Sequence, residues 1–249
     1  MKKRWRIWAA VLLVLIGSGI DRAFRGPVFA GGGQCPTGEI YEDNESDSGA
    51  EQTGVSSISW THNVGADITN GVLIVRVVSS IAGSGGAPGA SVTVNGAGMT
   101  LGRVKASDVN PSSVRAYLFY LIGPSPGGNV IVVSCDTTQG GQVKGSAESL
   151  GGVSQGTPDG SAIGYQLGGT FTTTGSGDWA VDVAAAVTPA SLTANCGQTV
   201  FWSQSGFLVD AGGSVMGPIL PVGPITTGWS AAGPPSAYAV VALAPAPAE

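Results

Sequence analysis

The chain predicts an all-β protein, a single antiparallel β-sandwich of jelly-roll type with about eleven or twelve strands. Three observations lead there. Short runs alternate apolar and polar residues with period two, clusters of Gly, Pro and Asn separate them, and helical periodicity is nearly absent.

The first 30 residues stand apart from this pattern. Lys2, Lys3, Arg4 and Arg6 precede an apolar stretch from Ile7 to Ile16, and Val28-Phe29-Ala30 supplies short residues for signal-peptidase cleavage. Residues 1–30 are therefore expected to be a signal peptide. The apolar stretch is shorter than the roughly 20 residues a transmembrane helix needs, so no membrane span is expected after cleavage. Export places the protein outside the cell, at its surface or in the periplasm. Residues 31–54 follow as an acidic arm, an opening strand leading into a solvated loop.

The sandwich is expected over 55–246. In "SISWTHNV", Ile58, Trp60, His62 and Val64 share one face, which predicts a strand with one packed and one wet side. "GVLIVRVV" (71–78) and "AYLFYLI" (116–122) are apolar on both faces, apart from an occasional polar residue. They predict central strands or strands covered on both sides. Asn95-Gly96 after "SVTV" predicts a type I′ hairpin, because both residues tolerate positive φ. Pro124, Pro126, Gly127 and Gly128 break the chain before "NVIVV". In "DWAVDVAAAV", Trp179, Val181, Val183, Ala185 and Val187 predict a packed face, with Asp178 and Asp182 on a wet one. "SAYAVVALA" (236–244) is the last strand, and residues 247–249 form a frayed tail.

Charge narrows the partners. Removing residues 1–30 takes six of the 11 basic and one of the 16 acidic side chains, leaving five against 15, a net of −10. Such a surface repels phosphate backbones and anionic membranes, which argues against nucleic acid as a partner. Of the three cysteines, Cys35, Cys135 and Cys196, export permits one disulfide. Cys135–Cys196 is the preferred pair, because both follow strand-like runs. Their spacing is unlike that of a zinc site.

Four tryptophans follow residue 30: Trp60, Trp179, Trp202 and Trp229. Trp60 and Trp179 sit in apolar rows and read as core. Phe201 and Trp202 in "TVFWSQ" should point to opposite faces, leaving one accessible, and Trp229 lies in a Gly-rich, loop-like stretch. Trp229 and Trp202 are thus the candidate ligand-binding residues, against a reading in which both are packed. In "EIYEDNESDSGAE", Glu42, Asp43, Glu45 and Asp47 could supply hard oxygen ligands for calcium, but they lack the EF-hand spacing, so a solvated acidic loop stands beside that reading. No other cofactor is implied.

The order "SISWTHNVG", "GVLIVRVV", "VTVNGAGMTLGRV", "VRAYLFYLIGPSPGGNVIVV", "GGVSQGTP", "DWAVDVAAAV", "GQTVFWSQ", "AYAVVALAPA" resembles a recurrent bacterial extracellular β-sandwich module. The resemblance covers most of 55–246 and implies a lectin-like or jelly-roll sandwich without enzyme activity. It also bears on Gly152-Val153-Ser154-Gln155-Gly156, which spells a hydrolase nucleophile elbow. Thr157-Pro158-Asp159-Gly160 follows as a turn where that motif requires a helix, and His62 precedes the serine where those hydrolases place histidine after it. Ser154 reads as a turn residue, and His62 as a packed one. Asp178 and Asp182, about 13 Å apart along one strand, are too far apart for a glycosidase pair. No catalytic residue is assigned. Two expectations remain: a module that binds carbohydrate or another cell-surface ligand, and a structural or adhesive subunit that self-associates.

Overall fold

The computed structural model describes residues 39–247, apart from 83–88, 110–111, 136, 139, 165–166, 188–190 and 232–235. The expected signal peptide, Cys35 and the last two residues of the tail lie outside the described residues. Eighteen strands are formed among those described. In chain order they are β1 (Tyr41–Asp47), β2 (Gln52–Thr53), β3 (Ser57–Val64), β4 (Val72–Ala82), β5 (Ser91–Val94), β6 (Ala97–Gly98), β7 (Thr100–Val109), β8 (Ser112–Ile122) and β9 (Gly127–Ser134). The second half adds β10 (Gly141–Gly151), β11 (Gly160–Gly164), β12 (Gly168–Thr172), β13 (Asp178–Val187), β14 (Thr193–Ala194), β15 (Thr199–Gln204), β16 (Val209–Ile219), β17 (Pro224–Ser230) and β18 (Ser236–Leu243).

The all-β class and the antiparallel, sandwich-like packing are present, but with four sheets rather than two. Sheet I has the order β3-β9-β5-β6, sheet II β1-β10-β4-β8-β7 with β2 beside β10, sheet III β11-β18-β13-β16-β15, and sheet IV β12-β17-β14. Three apolar clusters join them in the sequence I–II–III–IV. Strand β4 explains why. Leu73, Val75 and Val77 pack with Ile58, Ile131 and Val133 of sheet I, while Val72, Ile74 and Val78 pack with Val181, Val183 and Val241 of sheet III. Alternate side chains of a strand point to opposite faces, so a run apolar on both faces requires a cover on each.

The same holds one layer on. Val181, Val183 and Ala185 of β13 face sheet II, and Ala180, Ala184 and Ala186 face Leu167, Phe171 and Trp229. The wet face expected for "DWAVDVAAAV" is therefore covered, and Asp178 and Asp182 are buried. The sequence hid this because the second face is lined with alanines and two aspartates, which read as a surface.

Local signals hold. Ile58, His62 and Val64 are buried on β3 and Trp60 half-buried, while Ser59, Thr61 and Asn63 are exposed. Asn95 and Gly96 adopt φ of 49° and 83° at the β5–β6 turn, as a type I′ hairpin demands. The acidic arm is part of the sheet: β1 pairs antiparallel with β10 along Tyr41–Asp47. At the other end, Val153 bridges Pro245 and the amide of Ala246 donates to the Gly152 carbonyl, so the chain is anchored up to that point. Among the described residues no helix is long and apolar enough to cross a membrane.

Candidate functional site

The site is built on a polar strip at one margin of the sheet II–sheet III interface. On β10, Lys144, Ser146 and Glu148 stand opposite Val78, Arg76 and Ile74 of β4, so all face sheet III. Across the other edge of β10, Glu45 is opposite Glu148 and Asp47 opposite Ser146. Those two acids therefore join the same face. From sheet III, β15 closes the strip. Its register shifts between Val200 and Trp202, and this bulge at Phe201 interrupts alternation. Phe201 and Trp202, expected on opposite faces, consequently line one cavity together.

That cavity has a volume of about 220 Å³ and is bounded by Glu45, Ser46, Asp47, Arg76, Ser146, Ala147, Phe201 and Trp202. Arg76 is completely buried. Its Nη2 donates to Glu148 Oε2 at 2.6 Å and to the Ser214 carbonyl at 3.4 Å, and its Nε to the Asp182 carbonyl at 2.7 Å. Gly213 permits this crossing, because a Cβ there would overlap Arg76 Cδ. Burial pushes the Glu148 carboxyl above its usual range against the pull of Arg76. Glu45 is also raised, first by burial and then by Glu148. The polar complement of the strip is incomplete: Trp202 Nε1, Ser146 Oγ and Glu148 Oε1 are buried with no hydrogen-bond partner among the described residues. Buried polar groups are ordinarily satisfied, which makes two orphans on residues of one cavity wall, Trp202 and Ser146, notable.

The other expected site residues are placed differently. Trp229 is 4% exposed and its indole N–H donates to both Asp182 oxygens at 3.2 Å. Its ring lies over Gly212, where a Cβ would come within 2.8 Å. The loop-like sequence around Trp229 is strand β17, and the expected exposure is corrected to burial between sheets III and IV. Trp202 is equally buried, yet it contributes the cavity wall.

The calcium set is dispersed. The β1 bulge between Glu42 and Asn44 turns Asp43 toward sheet I, where its carboxylate accepts from the Gly65 amide and the Ser149 hydroxyl. Glu42, Glu45 and Asp47 stand on the opposite face by register. Among the described residues no three His, Cys, Asp or Glu side chains are placed to hold a metal ion. Cys135 is buried and Cys196 exposed, with no disulfide between them, because Cys135 belongs to the sheet I–II core and Cys196 to the turn before β15. Ser154 lies in irregular backbone just before a bend, and strand β11 rather than a helix follows.

His62 has a structural setting. Its Nδ1 meets Ser46 Oγ at 2.9 Å and its Nε2 meets Ser149 Oγ at 3.0 Å. Trp60 Nε1 donates to Ser46 Oγ as well. The chain from Trp60 through His62 to Asp43 thus pins β1 and β10 to β3. Burial depresses the His62 imidazole to about 4, with Asp43 opposing the shift. Since the unfolded chain binds this proton near pH 6.5, it holds more protons than the folded chain between pH 6.5 and 4. Stability conferred by neutral His62 is therefore lost as pH falls through that window, by up to about 3 kcal/mol. Buried carboxylates with raised values work in the opposite direction, so the measurement is a difference. The stability gap between wild type and His62→Gln, from urea midpoints, should shrink between pH 7 and pH 4.5. An unchanged gap would remove His62 as the titrating group.

Comparison of the chain with family models, curated proteins and solved structures finds no match.

Proposed function

We propose that this is an exported, non-catalytic sandwich protein, with jelly-roll-type connections, that binds a single saccharide unit of a surface glycan or polysaccharide in the Trp202 cavity. The observation that carries this reading is the pair of unpartnered donors, Trp202 Nε1 and Ser146 Oγ, on the wall of a cavity also lined by Phe201, Arg76 and two carboxylates. A sugar meets these demands together. Each hydroxyl both donates and accepts, satisfying indole N–H, serine hydroxyl and carboxylate, while the ring's C–H face suits an aromatic wall. Ligand sites commonly combine apolar walls with a few convergent polar groups in just this way. The self-associating alternative draws on low charge density, an unpaired cysteine and an acidic arm able to add a strand to a neighbour's sheet; of these, the arm pairs with β10 of its own chain.

A glycan and polysaccharide array of the purified protein is the test. Specific binding should weaken about three- to tenfold in Trp202→Phe, which keeps the ring and removes the N–H, as expected for one hydrogen bond. A blank array with a folded protein would overturn the proposal.

A further inference from the structure

We infer that the saccharide carries a free amine, so that the cavity selects an amino sugar over its neutral and acidic counterparts. This inference rests on the saccharide reading above and concerns the charge of the same site. Its starting point is how the charges on this face are used. Among the described residues Arg76 is the only cationic side chain lining the cavity, and its guanidinium is committed to Glu148 at 2.6 Å and to two backbone carbonyls. The next cation on β10, Lys144, is held away by the Gln204 and Val209 carbonyls and by Glu51.

Two carboxylates at the cavity lack a counter-charge of their own: Arg76 attracts Glu45 but is bonded to Glu148. Among the described residues neither Glu45 nor Asp47 forms an ion pair, and Asp47 accepts from the Gly49 amide. Glu45 stands directly across from Glu148 on the adjacent strand, an arrangement of like charges that is unfavourable in a sheet. An ammonium between Glu45 and Asp47 relieves this repulsion. A uronate in the same place would add a third carboxylate to it. A metal ion would find no triad of acidic or imidazole ligands here among the described residues. A bare polyamine leaves Trp202 Nε1 unanswered, because an indole N–H requires an acceptor. The residue that satisfies both is one with an amine and hydroxyl oxygens on one ring.

Calorimetric titration should compare β-1,4-linked oligomers of equal length built from glucosamine, N-acetylglucosamine and glucose. The expected result is at least tenfold tighter binding of the glucosamine oligomer. The double variant Glu45→Gln/Asp47→Asn should lose that preference, so that its affinities for the glucosamine and glucose oligomers no longer differ. Equal affinity for amine and neutral oligomers overturns the inference and leaves the saccharide reading standing. A preference that survives in the double variant also overturns it, by assigning the attraction to the acidic surface as a whole. Failure of all three oligomers, together with a blank array, removes both.

Discussion

Arg76→Ala is expected to destabilise the protein by about 3–5 kcal/mol, the range found when one partner of a buried ion pair is removed. The guanidinium spans the sheet II–III interface, and three groups depend on it: the Glu148 carboxylate, the Asp182 carbonyl and the Ser214 carbonyl. Truncation leaves Glu148, 1% exposed, as an unpaired buried charge, and opens a void against Gly213. The penalty should depend on pH. Without Arg76 the Glu148 carboxyl rises further above its unfolded value, so the folded state takes up a proton as pH falls and part of the lost stability returns. Adding Glu148→Gln to Arg76→Ala should recover part of the loss at neutral pH, because it removes the unpaired charge. Urea unfolding of the four members of this cycle measures the coupling. Single variants whose effects simply add would show that Arg76 and Glu148, on adjacent strands of sheet II, are not energetically coupled.

Trp229→Ala is expected to cost about 3–5 kcal/mol as well, by the cavity left when a buried aromatic is truncated. The loss is more than volume. Asp182 is buried and accepts from the Ser214 amide and hydroxyl, Gln198 Nε2, Trp229 Nε1 and Tyr238 Oη. Burial holds the Asp182 carboxyl above its usual range despite these donors, so each one removed makes the charge harder to keep. Trp229→Phe should therefore cost less than Trp229→Ala but more than a neutral change, isolating the N–H. Thermal unfolding and near-ultraviolet circular dichroism read both. A Trp229→Ala protein of native stability that had lost glycan binding would place Trp229 at a surface, contrary to its position under sheet IV.

These two residues show where the sequence was readable. Arg76 stands within "GVLIVRVV", and an arginine in a strand apolar on both faces signals a buried partner, but nothing local says which. That partner, Glu148, lies in "GQVKGSAESLG", a stretch too polar to read as a central strand. All eleven residues of β10 are nevertheless buried. Its polar side chains have their complements on β1, β4, β15 and the Val209 carbonyl, none of them adjacent in sequence. Trp229 misleads in the opposite way. Glycine and threonine around it suggest a loop, whereas Gly212 on a distant strand makes room for the ring. Trp202 was legible as a candidate, but its role was not, because a single bulged residue at Phe201 turned two neighbours toward one cavity.

By itself the sequence determined the strand class, the hairpin at Asn95-Gly96, the burial of β4 and β8 on both faces and the packed row of Ile58, His62 and Val64. Each of these depends on side-chain alternation or on backbone preferences within a few residues. Tertiary structure alone decided that there are four layers, that the acidic arm is an edge strand, and that Glu45, Asp47, Arg76, Ser146 and Trp202 surround one cavity. Those outcomes depend on registers between strands up to 110 residues apart (Tyr41 with Gly151), where bulges and buried charge pairing, rather than local periodicity, choose which side chains meet.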